Sequence, residues 1–182
     1  MKRFSKAVRS LTDRLTADRL RAAAYILIGL LCFLMQMTPH GFPAPFGARA
    51  VLLLPVTVCV AMFAGPVAGG WAGVVMGLFW DVYADRLFGL NAFLLLLIGC
   101  ACGLLMRLLL RNNLLTAIIL SGGALTAHGL LDWLLNTALL KVEGAFFALW
   151  HITLPNILYT WLLAVPLYLL FAAIERKLQR LR

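Results

Sequence analysis

Charged residues are scarce in this 182-residue chain, and acidic ones are the scarcest. Asp and Glu number seven and Lys and Arg sixteen, so only 13% of the residues are charged, whereas 63% are hydrophobic. A soluble protein is typically about 45–50% apolar, and a core of this size could not hide so much apolar surface. The composition therefore excludes a soluble domain and predicts a single-domain, all-α integral membrane protein.

Cysteine patterns and catalytic motifs are also missing. The four cysteines lie inside apolar runs with no metal-ligand spacing to histidine, so we expect buried small side chains, no metal site and no cofactor. The sequence contains no P-loop, no nucleophile elbow, no His-Glu-x-x-His and no close pair of acids. These absences predict no catalytic residue and a protein that is not an enzyme.

The positive charges lie beside the apolar runs. The net charge is +9, and thirteen of the sixteen Lys and Arg fall in three patches next to apolar stretches. This placement favours contact with membrane lipids over nucleic acid. The first patch, residues 1–21, either lies on the cytoplasmic leaflet as a basic amphipathic helix or is a solvated topology signal. The last is a short basic tail, 176–182.

Six apolar stretches predict a six-helix transmembrane domain over residues 22–175. We expect the spans at about 22–38, 51–64, 67–83, 90–110, 114–135 and 152–174. The second is short and contains Pro55, but the third requires a return crossing before it. With both termini on one side, that side holds thirteen cations and the other three, which predicts cytoplasmic termini.

The third span contains a stripe of glycines. Gly65, Gly69, Gly73 and Gly77 follow one another at a spacing of four, which places them on one helical face. Interior glycine costs about 1 kcal/mol relative to alanine in a soluble helix, but in lipid a bare stripe lets another helix approach closely. Packing glycines are also expected in the fourth span, at Gly99 and Gly103.

Two acids lie toward the outer ends of spans, and an acid within a span is a functional candidate. Asp81 either caps the next loop or pairs with Arg86, or it makes a specific polar contact inside the bundle or with a partner. His128 and Asp132 are one helical turn apart, so they can meet. They form either a pH-sensitive pair or a neutral histidine satisfied by a carboxylate.

The last span contains Pro155 and Pro166. A proline within a span frees a backbone carbonyl and kinks the helix. The kinks either shape the bundle or open a groove for a ligand.

Four stretches together resemble the rod-shape-determining MreD family. The glycine-spaced 73–83, ending at the acid Asp81, and the following 87–92, with Gly89 and Asn91, resemble its central signature. Residues 33–39, including Gln36, resemble the end of its first span, and 103–112 resemble its basic inner loop. Residues 154–168 resemble its two-proline last span.

The resemblance implies a non-catalytic inner-membrane component of the bacterial elongation (rod) complex. Such proteins partner the single-span protein MreC and link actin-like filaments to a peptidoglycan glycosyltransferase and transpeptidase pair. It also implies a fold similar to the substrate-binding subunits of energy-coupling-factor transporters. The alternative function is that of such a vitamin-binding subunit, which needs a polar or aromatic pocket near the outer face. Its candidate residues are Asp81, Asn91, His128, Asp132 and Trp133.

Overall fold

The protein is helical throughout the part that the structure describes. In this computed structural model, residues 2–38, 50–83, 88–135 and 145–179 are described, with the backbone alone for 2–17, 83, 145 and 148. The helices are α1 (Lys2–Met37), α2 (Leu53–Ala64), α3 (Pro66–Tyr83), α4 (Leu90–Leu108), α5 (Leu114–Trp133), α6 (Ala145–Ala148) and α7 (Leu154–Gln179). A π-helical turn, Leu149–Thr153, leads into α7.

Helix α2 lies at the centre of the bundle. Its residues 53–62 are all buried, as expected for a helix that is apolar on every face. It contacts α1, α3, α4, α5 and α7, and these five follow one another around it in the order α1, α3, α4, α5, α7. The core of the protein is therefore built around one short helix.

Among the described residues, four helical segments are long and apolar enough to cross a membrane: Asp18–Met37, Leu90–Leu108, Leu114–Trp133 and Leu149–Gln179. The predicted all-α membrane fold is confirmed to that extent. The other two predicted spans are helical but shorter, and α2 has only twelve residues. It is about 18 Å long at 1.5 Å per residue, against a hydrocarbon core of about 30 Å.

The ends of the first and last predicted spans differ most from those observed. Residues 1–21 and the first span were expected as separate segments, but α1 runs through both without a break. The last helical run begins at Leu149, three residues before the expected 152, and continues to Gln179, into the predicted basic tail. The expected loops at 39–49, 84–87 and 136–144 lie outside the described residues.

Hydrogen bonds between helices show which helix ends lie together. Arg21 of α1 contacts the Phe63 carbonyl of α2 and Glu175 of α7. The Tyr168 hydroxyl of α7 donates to Asn112, in the connection after α4. We call this side of the bundle the basic end, because Arg19, Arg21, Arg107, Arg111, Arg176 and Lys177 lie there. The other side, where α3 ends and α4 begins, is the opposite end.

Candidate functional site: the α3–α4 seam and its polar cluster

The glycines of α3 lie against the backbone of α4. A Cβ atom built on Gly73 would lie 2.2 Å from the carbonyl oxygen of Leu95, and one on Gly77 would lie 2.3 Å from the Cα of Ala92. No side chain fits at such distances, so the two helices are in backbone contact. We call this contact the α3–α4 seam.

The glycines of α4 complete the seam from the other side. A Cβ on Gly99 would lie 2.3 Å from the carbonyl oxygen of Gly69, and one on Gly103 would lie 2.4 Å from the Cα of Pro66. Gly69 also faces α2, because its Cβ would lie 2.4 Å from that of Ala61. The close approach gives the two backbones the dispersion contacts that pack helices in lipid. The stripe is thus occupied by helices of the same chain.

Gly65 differs from its predicted role as a packing glycine. It ends α2 with a φ of +90°, and no atom lies within 4 Å of its Cβ position. Glycine adopts this left-handed region at no steric cost, which allows a sharp turn directly into α3. The spacing of four residues therefore includes Gly65, although this glycine precedes α3 and its Cβ position faces open space.

Asp81 caps the beginning of α4 from the last turn of α3. Its carboxylate accepts backbone N–H hydrogen bonds from Gly89 at 3.0 Å, Asn91 at 3.2 Å and Ala92 at 3.1 Å. The first turn of a helix leaves its N–H groups without helical partners, and Gly89, at the N-cap position, has no side chain to accept them. The buried carboxylate accepts hydrogen bonds from these N–H groups, and the positive end of the helix dipole stabilises its negative charge. The predicted alternative partner, Arg86, lies outside the described residues.

Asn91 extends this contact to a third helix. Its side-chain amide donates to Asp81 at 2.9 Å, and its Oδ1 lies 3.2 Å from Nε2 of His128 in α5. Because Oδ1 can only accept, Nε2 of His128 is the donor. The indole of Trp80 stacks on the imidazole, with 5.0 Å between ring centroids. We call Trp80, Asp81, Asn91 and His128 the polar cluster.

Three of the four side chains of the polar cluster are buried, and Trp80 is half-buried. Asp81, Asn91 and His128 are each 4–5% exposed, and each binds another member of the cluster. The predicted contact of His128 with Asp132 stays a prediction; Asp132 is half-buried at the end of α5. Trp133 packs edge-on against Phe146, so the structure places it beside α6.

Two side chains hold the beginning of α2 inside the bundle. Oε1 of Gln36, near the end of α1, accepts from the Leu53 N–H at 3.4 Å. The hydroxyl of Thr160 in α7 accepts from the Val51 N–H at 3.0 Å and donates to the Asn156 carbonyl. Lipid offers no partner for a free N–H, so a helix that begins within the bundle needs such acceptors. The resemblance singled out Gln36, but nothing in the sequence singled out Thr160.

The two prolines of the last span have different settings. Pro155 is the second residue of α7, directly after the π-helical turn. Its ring removes one backbone N–H donor at the junction of the π-helical turn and α7, within a helical run that is continuous from Ala145. Pro166 lies inside α7, which continues through it to Gln179.

Sequence reasoning missed an ionic cluster at the basic end. Arg21 donates to the carboxylate of Glu175 and to the Phe63 carbonyl, and the Tyr25 hydroxyl donates to the same carboxylate. Glu175 is 6% exposed. One signal was available: Glu175 directly follows the last apolar stretch, and Arg21 directly precedes the first one.

These arrangements bind helices to one another. Within the described ranges, no three His, Cys, Asp or Glu side chains are grouped as metal ligands. Each fully buried side-chain nitrogen or oxygen there has a hydrogen-bond partner. The chemistry of the polar cluster and of the ionic cluster is therefore that of internal contacts.

A family model described as rod shape-determining protein MreD matches residues 19–178. The chain belongs to the MreD family. The match covers the α3–α4 seam, the polar cluster and the ionic cluster, and MreD proteins are non-catalytic membrane proteins that determine rod shape. Comparisons with curated proteins and with solved structures found no match. Likeness to the transporter subunits is therefore not shown for this MreD protein.

Proposed function

We propose that this MreD protein is a non-catalytic, partner-binding component of the bacterial cell-elongation complex in the inner membrane. It would bind an MreC-type single-span protein. Through that protein it would connect the peptidoglycan glycosyltransferase and transpeptidase pair with the actin-like filament system. Family membership supports the role in shape determination, and the partners are part of the proposal.

The observation that favours a binding role is the internal use of the polar cluster. Asp81, Asn91 and His128 bond to one another, whereas a vitamin-binding subunit would present such groups to a ligand. Three of the Asp81 contacts are backbone amides of the N-cap and first turn of α4. A ligand could reach this carboxylate only by uncapping that helix. The geometry therefore favours a protein that acts through its surface.

The α3–α4 seam limits where a partner can bind. Its glycines are covered by backbone of the same chain, so a partner helix has no access to them. Binding must use the outward faces of the helices and the short connections. The basic end is assigned to the cytoplasm, because Lys and Arg concentrate on the cytoplasmic side of membrane proteins.

Affinity purification from native membranes tests this function. The full chain, tagged at the carboxyl end, is extracted in mild detergent, and co-purifying proteins are identified by mass spectrometry. We expect a single-span protein with a coiled-coil segment to be enriched over a mock purification. Depletion of the chain should turn rods into rounded cells, and wild-type expression should restore them. An ATPase-coupled module in the eluate, or a small ligand retained in place of such a protein, would contradict the proposal.

A further inference from the structure

A groove opens at the basic end, between the α2–α3 turn and the last turns of α4. Its volume is about 570 Å³, and it is open along one side. Apolar walls are formed by Met62, Phe63, Val67 and Met106. The open space at the Cβ position of Gly65, which also lines it, belongs to the same opening.

Two polar side chains line the groove. Arg107 lies in the last turn of α4 and is exposed, and Asn112 follows in the connection to α5. The Oδ1 of Asn112 accepts from the Tyr168 hydroxyl, which leaves the Nδ2 hydrogens as donors. No carboxylate is among the lining residues, all of which the structure describes. The groove is therefore apolar along its walls and purely positive in charge.

These features match one kind of occupant. A guanidinium offers several N–H donors in a planar fork that fits phosphate oxygens. Apolar walls beside it suit a hydrocarbon chain. The wall residue Val67 is 73% exposed, so this apolar wall is not covered by the protein's own chain. A soluble acidic peptide would use Arg107 but leave these walls uncovered.

We propose that the groove binds one anionic phospholipid, with its phosphate at Arg107 and Asn112 and an acyl chain along Met62, Val67 and Met106. The site goes beyond the proposed partner binding and does not depend on it. The lipid would fill the space between the α2–α3 turn and α4. It would thereby brace the basic end of the α3–α4 seam.

Lipid titration of the purified full chain, without any partner, tests the site. Phosphatidylglycerol and phosphatidylcholine with identical acyl chains are added to delipidated protein, and bound lipid is counted by native mass spectrometry. We expect one phosphatidylglycerol to bind selectively. Arg107→Gln should weaken it about fivefold or more, since a cation near an anionic surface contributes about 1 kcal/mol. Arg111→Gln removes the same charge from a residue that does not line the groove, and it should weaken binding clearly less than Arg107→Gln does.

A second variant tests the apolar walls. Val67→Trp fills the groove from an exposed position without changing charge, and it should also reduce binding. Glycerol phosphate, which has the headgroup chemistry but no acyl chain, should not compete. Equal losses in Arg107→Gln and Arg111→Gln would indicate diffuse attraction and overturn the site. Unchanged binding in Val67→Trp, or competition by a soluble acidic peptide, would overturn it as well. If either Arg107→Gln or Val67→Trp fails to elute as a monodisperse species, lipid binding to the other variant decides whether the site exists.

Discussion

Asp81 shows how a single acid can be retained in an apolar chain without catalytic work. A buried carboxylate is costly unless its oxygens are hydrogen-bonded. Here they accept three backbone N–H groups and the side-chain amide of Asn91. The same contacts satisfy donors that the start of α4 would otherwise leave free in a medium without water. The acid and the helix end therefore depend on each other.

Asp81→Asn should loosen the start of α4. An amide keeps the shape of the carboxylate but replaces one accepting oxygen with a donor, which would face backbone N–H groups. Leaving such donors unsatisfied costs about 1–3 kcal/mol. Hydrogen exchange of the purified chain should therefore be faster at the amides of Gly89, Asn91 and Ala92. The first turn of α5 is the internal control, and acceleration there as well, or none at α4, would contradict the capping role.

The sequence predicted part of this residue-scale arrangement. The position of Asp81 at the end of a span made it a candidate, and capping of the next segment was one of the alternatives. The bond of Asn91 to His128 joins residues 37 positions apart. No local pattern contains such a pairing, because it depends on how α4 and α5 pack.

At the scale of helices, the α3–α4 seam is the most extensive helix–helix contact among the described residues. The spacing of glycines predicted that another helix would approach α3. It did not identify α4, although Gly99 and Gly103 were recognised as a second set. Both sets face each other, and Gly69 and Gly99 lie directly against one another. The glycine stripes of α3 and α4 face each other because a short connection places these consecutive helices side by side.

Gly73→Ala should destabilise the bundle. The added methyl would lie 2.2 Å from the Leu95 carbonyl oxygen, so the helices must move apart. Overpacking of this kind costs about 1–3 kcal/mol, occasionally more. Gly123→Ala is the matched control, because no atom lies within 4 Å of the Cβ position of Gly123. The measurement is the temperature at which each variant loses its monodisperse peak in detergent. Equal temperatures for the two variants would show that the seam tolerates a side chain.

Helix α2 is the element that sequence reasoning described least well. Its length suggested a weak span, yet it is the most buried helix of those described. Periodicity could not show this, since a helix that is apolar all round has no distinct face. Its start depends on acceptors from α1 and α7, Gln36 and Thr160. The sequence places these far from the helix that they cap.

At the scale of the whole molecule, polar contacts tie the ring of helices at both ends. The polar cluster joins α3, α4 and α5 at the opposite end, and the ionic cluster joins α1, α2 and α7 at the basic end. Arg21 and Glu175 are 154 positions apart, so their contact holds the first span to the last. Together the two clusters involve all six helices that contact α2 or form it.

Substitutions of Arg21 and Glu175 in the ionic cluster should lower the stability of the protein by unequal amounts, and the two losses should not add. In this pair the side chain of Glu175 is 8% exposed and that of Arg21 is 25% exposed. Arg21→Gln would leave the more buried charge unpaired and should cost about 3 kcal/mol. Glu175→Gln should cost less, because an arginine at a membrane interface can extend toward water. The double variant should be more stable than the sum of the two losses implies.

Unfolding of the four proteins in detergent, as a double-mutant cycle, checks this prediction. A coupling free energy near zero would mean that the pair does not hold α1 to α7. A larger loss from Glu175→Gln than from Arg21→Gln would reverse the assignment of the more buried charge. Lys177→Gln, a neighbouring basic residue outside the cluster, should leave stability nearly unchanged.

The sequence by itself determined that this is a helical membrane protein, where its apolar stretches lie and that most of its positive charges lie beside them. These properties depend on local composition, because the cost of placing each residue in lipid is set mainly by that residue. The tertiary structure decided that α2 is central, that α4 covers the glycines of α3, and that Asp81 and Glu175 are bound within the chain. Those outcomes depend on which helices meet, and contact between residues far apart in sequence is not encoded in any single stretch.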